Sequence, residues 1–234
     1  MNTINNPEYY LSRKAEIMER DYDGRAEGWK QSLTQTYGQE FAEVIIKEAR
    51  QWFEEFLPTI PYIGGDENAL YTHQIIRSAE YLTFYEVMKA RGKTAQEVGK
   101  IIYDALAEYI RHLPQIPGPE LTPEFRNQQI AQAKKSQERR YPDDWVFMYV
   151  EGDGVEFDYG SDYIECGAQK LYHTHGTDEF LPFYCYLDFA THRTIGWGFS
   201  RIRTLSEGHE RCEFRNKKGR ETKKGWPPPF LKYE

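Results

Sequence analysis

The sequence predicts an α+β fold, an N-terminal helical half packed with a C-terminal antiparallel sheet of about four strands that carries two inserted helices. Three observations carry this. Apolar residues recur at three- and four-residue spacing through the first 138 residues. From Trp145 the pattern changes to short aromatic and β-branched runs punctuated by glycine. Between those runs lie two segments of helical length. The chain therefore divides into a helical half, 1–138, and an α+β half, 139–234, and 234 residues suffice for both to share one compact domain with a substantial core.

In the stretch 38–57, GQEFAEVIIKEARQWFEEFL, Phe41, Val44, Ile45, Ala49, Trp52 and Phe56 fall on one helical face, which predicts a core-facing helix. Pro58 ends it, and PTIPYIGGDEN, with two prolines and the Gly64-Gly65 pair, forms a stiff turn. The next helical pattern, 67–91, closes at Arg91-Gly92, a basic last turn followed by the glycine that a helix end favours. Thr94 with Glu97 three residues on is a capping-box pattern and opens a third helix reaching about His112. Four prolines make 113–123 a loop, and a polar helix follows over roughly 123–138. The runs WVFMYV and VEFDYG, joined through Gly152-Asp153-Gly154, read as a hairpin with a tight turn. Helices are expected at about 167–175 and 179–192. A second strand pair, TIGWGFSRIRT and ERCEFRNK, is joined by residues 205–209.

Composition limits the partners. Eighteen tyrosines and thirteen phenylalanines imply a real interior, which sets the chain apart from disordered proteins. Thirty basic against thirty-seven acidic residues give a net charge of −7, which phosphate backbones and anionic lipid surfaces repel, so no nucleic-acid and no membrane partner is expected. The basic cluster Lys217, Lys218, Arg220, Lys223 and Lys224 is expected to be a solvated turn or tail. No apolar run approaches the ~18 residues that span a bilayer, and the N-terminus lacks the basic-then-apolar order of a signal peptide; a cytoplasmic location is expected. Three widely spaced cysteines do not form a disulfide framework and would remain thiols there. A small-molecule substrate is the expected partner, and a homo-oligomer is compatible with the sequence.

The chemistry concentrates in LYHTHGTDEFLPFYCYLDFA, residues 171–190. His173, His175 and Glu179 are residue types that zinc accepts, but a helix turns positions i and i+2 about 200° apart, and a place just before Gly176 suits a helix-end role. On a helix over 179–192, Cys185, Asp188 and His192 share a face at i, i+3 and i+7, so a thiol, a carboxylate and an imidazole would converge. That set fits an activated nucleophile, because only the thiolate attacks and a nearby base or cation lowers its pKa. A cysteine between Tyr184 and Tyr186 equally fits a small buried hydrophobe. Cys166, Cys185 and Cys212 could together bind zinc, although no CxxC pair supports it. Along the strand that follows, Trp197, Phe199, Arg201 and Arg203 alternate onto one face, where arginine suits a planar carboxylate and an aromatic suits a small ring. Solvated or salt-bridged arginines are the plainer alternative. No glycine-rich phosphate loop, GxSxG elbow or HExxH motif is present, so hydride and phosphoryl chemistry lose support.

The runs PYIGGDENALYTHQIIRSAEYLTFYEVMKARGKTAQEVGKIIYDA (61–105) and EFDYGSDYIECGAQKL through CEFRNKK (156–218) resemble the L-2-amino-thiazoline-4-carboxylic acid hydrolase family. The family pattern maps onto Glu165-Cys166, Glu179, Pro182, Cys185, Asp188, Arg201, Gly208 and Cys212-Glu213-Phe214-Arg215; Glu213 stands where aspartate is expected, and His173 and His175 lie outside it. The resemblance implies hydrolytic opening of a small carboxylate-bearing cyclic amidine or thiazoline ring at a carbon–nitrogen bond, on a route toward cysteine. In that reading Cys185 attacks the ring carbon between the heteroatoms or Asp188 activates a water, and Glu179 or Asp188 moves the proton. Arg201, then Arg203, would bind the carboxylate beside Trp197, while Cys166, Cys212 and His175 are structural or metal-binding. No cofactor is expected. A hydrolase using zinc or another divalent metal on a different small ring, and a non-catalytic small-molecule-binding module, are the alternatives.

Overall fold

The computed structural model describes residues 2–112, 119–194 and 197–233. Helices α1 (Pro7–Ser12) and α2 (Lys14–Glu16) run through a π-helical stretch, Ile17–Asp23, into α3 (Gly24–Tyr37). Then come α4 (Gln39–Phe56), α5 (Ala69–Lys89), α6 (Ala95–Arg111) and α7 (Pro123–Ser136). The second half holds β1 (Val146–Glu151), β2 (Tyr159–Glu165), α8 (Gly167–Thr174), α9 (Leu181–Thr194), β3 (Trp197–Ser200) and β4 (Cys212–Lys218). The fold is α+β as the sequence predicts, with helices first and one four-stranded antiparallel sheet last, in the order β1-β2-β4-β3. Most of the proline loop 113–123 lies outside the described residues.

Local sequence accounts for most boundaries. Thr94 accepts the N–H of Glu97 while the Glu97 carboxylate accepts the N–H of Thr94, the reciprocal cap its spacing predicts. The buried seam of α4 is Ala42, Ile45, Ala49, Phe53 and Phe56, rotated from the expected face. Val44 is 44% exposed and Trp52 37%, the latter because its indole N–H reaches Glu86 on α5. Every residue of α5 from Ser78 to Tyr85 is buried, so this helix is surrounded by protein and serves as the central post of the fold. One apolar cluster runs from Tyr10 to Phe199 and takes in both halves.

Two strands differ from expectation. β2 begins at Tyr159, because the Asp153 carboxylate accepts the N–H groups of Val155, Glu156 and Phe157 at 2.8, 2.7 and 3.3 Å and orders a longer loop in place of a tight turn. The basic cluster helps to hold that loop. Lys217 bonds Gly154 O and Asp158, and Arg220 bonds the Val155 and Glu156 carbonyls. β3 is shorter than the run 194–204 and ends at Ser200, opposite Arg215. Beyond it the side chains no longer share a face: Arg201 turns inward, and Arg203 stays at the surface against Glu213.

Helix α9 lies where these parts meet. It packs against α6, where Gly99 admits Phe183 so closely that an added Cβ would stand 2.7 Å from the Phe183 Cβ. The C-terminal segment packs beside this contact: Tyr186 donates to Gly225 O at 2.9 Å, and Phe230 meets Phe183 edge-on at 5.3 Å.

Candidate active site

A cavity of about 270 Å³ opens between α5, the start of α8, α9 and the inner face of β2 and β4. Its walls are largely aromatic. Tyr71 stacks on Trp145 at 5.2 Å, Tyr163 meets Phe214 edge-on at 5.0 Å, and Tyr184 is fixed by a 2.8 Å bond to Ser78 of α5. Such walls suit a flat, ring-sized ligand, with a few polar groups to orient it.

Cys185, Asp188 and His192 all line this cavity, one helical turn after another along α9. Arg201 joins them just after β3. Its side chain is 3% exposed and Asp188's 41%; Nη1 donates to Asp188 Oδ2 at 2.5 Å and Nη2 to the Cys185 carbonyl at 2.7 Å. The guanidinium also lies near the rings of Phe189, Phe199 and Phe214 at 5.4, 5.6 and 5.0 Å. Burial pulls the proton affinity of Arg201 down, but the Asp188 carboxylate together with Cys185 and Cys212 holds it above the ordinary arginine value. The pair ties the end of the sheet to the middle turn of α9. Asp188 Oδ1 has no hydrogen-bond partner among the described residues. His192 is stacked on Phe199 at 4.3 Å, with Nδ1 2.8 Å from the Asp188 carbonyl. That contact makes Nδ1 the donor, so in the neutral imidazole Nε2 is the acceptor.

The three thiols share the cavity but not their surroundings. Burial pushes Cys185 well up, against the opposing charge of Arg201, so its resting form is the neutral thiol. Burial likewise raises Cys212 to about 11, although its sulfur receives the Leu205 N–H at 3.2 Å. Cys166 occupies the N-cap of α8. Burial raises it too, while the N–H groups of Gln169 and Ala168 and the Trp145 indole N–H pull the other way. Gly167 makes this corner by close approach, since a Cβ there would meet Asp143 O at 2.6 Å and the Trp145 ring at 2.7 Å. Among the described residues no three of the histidines, cysteines and carboxylates are grouped so as to hold a metal ion.

Other expected residues lie elsewhere. Glu179 is on the outer surface, accepting from Tyr85 Oη at 2.7 Å and Lys89 Nζ at 2.5 Å. His175 caps the C-terminal end of α8, exposed and edge-on to Phe56 at 4.9 Å, and His173 pairs with Asp178 at 3.0 Å. Arg203 is more than half exposed and pairs with Glu213 at 3.4 Å. Trp197 pairs through its backbone with Lys218, and its side chain lies outside the described residues. Residues that the sequence did not single out line the cavity instead: Tyr71, Gln74, Arg77 and Tyr81 of α5, with Trp145 and Tyr163. The spacing of the four α5 residues marks one helical face, but nothing local says that this face borders a cavity.

The α+β fold thus surrounds an aromatic cavity that carries a thiol, a carboxylate and a guanidinium, with a size and lining that suit a small molecule. The chain belongs to the L-2-amino-thiazoline-4-carboxylic acid hydrolase family, whose model matches residues 69–216, from the first turn of α5 into β4. The matched region contains every side chain lining the cavity, and the family name is that of a hydrolase. Neither a curated protein nor a solved structure matches the chain.

Proposed function

We propose that the protein hydrolyses a small, carboxylate-bearing ring of the cyclic amidine or thiazoline type, opening a carbon–nitrogen bond in the cavity beside α9. The observation that carries this reading is the placement of Cys185 and Asp188 one turn apart on the cavity wall, with Arg201 holding Asp188 by one oxygen only. The family name supports the reaction class, and the size and aromatic lining of the cavity support a small flat substrate.

Two routes use these groups. In one, Asp188 Oδ1 takes a proton from water as its oxygen adds to the ring carbon between the heteroatoms and passes that proton to the ring nitrogen; the carbon–nitrogen bond then breaks as the new hydroxyl becomes a carbonyl and gives its own proton, through Asp188, to the departing nitrogen. In the other, Cys185 loses its proton to Asp188 or His192 Nε2 and its sulfur adds to the same carbon; the ring carbon–nitrogen bond breaks as the nitrogen takes up that proton, and water then adds to the carbon and expels the Cys185 sulfur, which regains a proton. The raised thiol of Cys185 favours the first route, because attack by sulfur begins with an unfavourable deprotonation. The neutral thiol would then shape the site and hydrogen-bond to the ring.

Incubating the protein with 2-aminothiazoline-4-carboxylate and related cyclic amidines, and reading product mass, tests the reaction. On the water route D188N lowers kcat by about 100-fold or more, as expected for loss of a general base, whereas C185S retains most of it. A C185S protein as inactive as D188N would point to sulfur attack. Undiminished turnover in both variants would place the chemistry elsewhere.

A further inference from the structure

We infer that Arg77 captures the carboxylate of the substrate. This deepens the ring-opening reading and rests on it for the identity of the ligand. Arg77 lies on the cavity wall, on α5, one turn before Tyr81. It makes no ion pair and donates no hydrogen bond among the described residues, and it is exposed. Arg201, the other arginine of the cavity, differs on each count: it is buried, and both terminal nitrogens are engaged within the protein, one by Asp188 and one by the Cys185 carbonyl.

The charges on the cavity wall support the same assignment. Two arginines and one aspartate are the charged side chains there, and Arg201 and Asp188 neutralise each other. Arg77 is left on that wall without an ion pair among the described residues; Glu80, the carboxyl it influences one turn further along α5, is buried and already paired with Arg25. A cavity with one spare cation selects a ligand with one anionic group, and a guanidinium can hold a carboxylate by two parallel N–H donors. Gln74, one turn before Arg77 and also on the wall, adds an amide donor for the same oxygens. Tyr81 touches Tyr184, the residue before Cys185, with ring centres 5.7 Å apart. A ligand anchored at Arg77 would thus lie across the short gap between α5 and α9 and offer its ring to the side carrying Cys185 and Asp188.

Calorimetric titration of the full chain with 2-aminothiazoline-4-carboxylate, and with 2-aminothiazoline lacking the carboxylate, tests this in wild type, R77Q and R77K. The wild type should bind the carboxylate form about tenfold tighter or more, the usual worth of a charged hydrogen bond. R77Q should bring the two affinities together, and R77K should retain part of the preference, since an ammonium keeps the charge but not the fork. Because Arg77 makes no hydrogen bond or ion pair among the described residues, nearly unchanged thermal midpoints are expected to accompany these losses. A preference that survives in R77Q, or no preference in the wild type, overturns the assignment. An Arg77-dependent preference without any product sinks the ring-opening reading and leaves the anchor standing; product formed with no dependence on Arg77 does the reverse.

Discussion

Glu80 and Asp188 are both carboxylates facing an arginine, and their surroundings give them different fates. Asp188 is partly open to the cavity, so its free oxygen can meet water or substrate. Glu80 is wholly enclosed in the helical half, 2.7 Å from Arg25, with Oε1 lacking a hydrogen-bond partner among the described residues, and burial raises it to about 7 in spite of the arginine. A carboxyl whose folded value lies above its ordinary 4.5 binds more protons folded than unfolded. Its contribution to stability is therefore full below that ordinary value and is lost as pH rises through about 7. The loss is on the order of 1–3 kcal/mol at most, since a tenfold change in proton affinity corresponds to about 1.4 kcal/mol. Thermal midpoints measured between pH 5 and 8 should fall more steeply in the wild type than in E80Q. Equal slopes would mean that Glu80 stays ionised throughout. The polar residues of the stretch 171–190 separate in the same manner: Cys185 and Asp188 reach the cavity, while His173, His175 and Glu179 serve the surface and a helix end.

Among the elements, α9 is readable from its own sequence, whereas its partner α5 is not. Residues at i, i+3 and i+7 of α9 share a face whatever surrounds it, so the convergence of Cys185, Asp188 and His192 follows from helical geometry alone. Arg77 reads as an ordinary surface arginine until the contacts that Tyr172 of α8 and Tyr184 of α9 make with Ser78 of α5 turn that surface into a wall. The shortness of β3 was hidden for a related reason, because the inward turn of Arg201 depends on a carboxylate thirteen residues earlier in the chain. Position 99 offers a test of how firmly α9 is placed. G99A should force Phe183 and the backbone of α9 away from α6, at a cost of about 1–3 kcal/mol for overpacking. It should also weaken ligand binding with no change in any residue lining the cavity; a G99A protein as stable as wild type would show that Phe183 yields without moving the helix.

For the molecule as a whole, the fold class was legible because helical and strand periodicities occupy separate stretches of the chain, and turn residues mark most changes between them. The layout of the cavity was not, because it draws on residues from Tyr71 to Phe214 and on both halves of the chain. No described helix is long and apolar enough to cross a membrane. The apolar cluster that joins the halves also borders the cavity, so most of the cavity's lining stands on packed helices and strands.

The stacking of Tyr71 on Trp145 has an optical consequence. Of the tryptophans whose side chains are described, Trp145 alone borders the cavity, while Trp29, Trp52 and Trp226 emit from elsewhere. A ring entering the cavity would displace water from one indole and leave the other three in their surroundings, so the protein carries its own fluorescent reporter of occupancy. W145F should abolish the ligand-dependent change in emission and keep most of the background signal; a change that persists in W145F would mean that the ring settles at another place on the molecule.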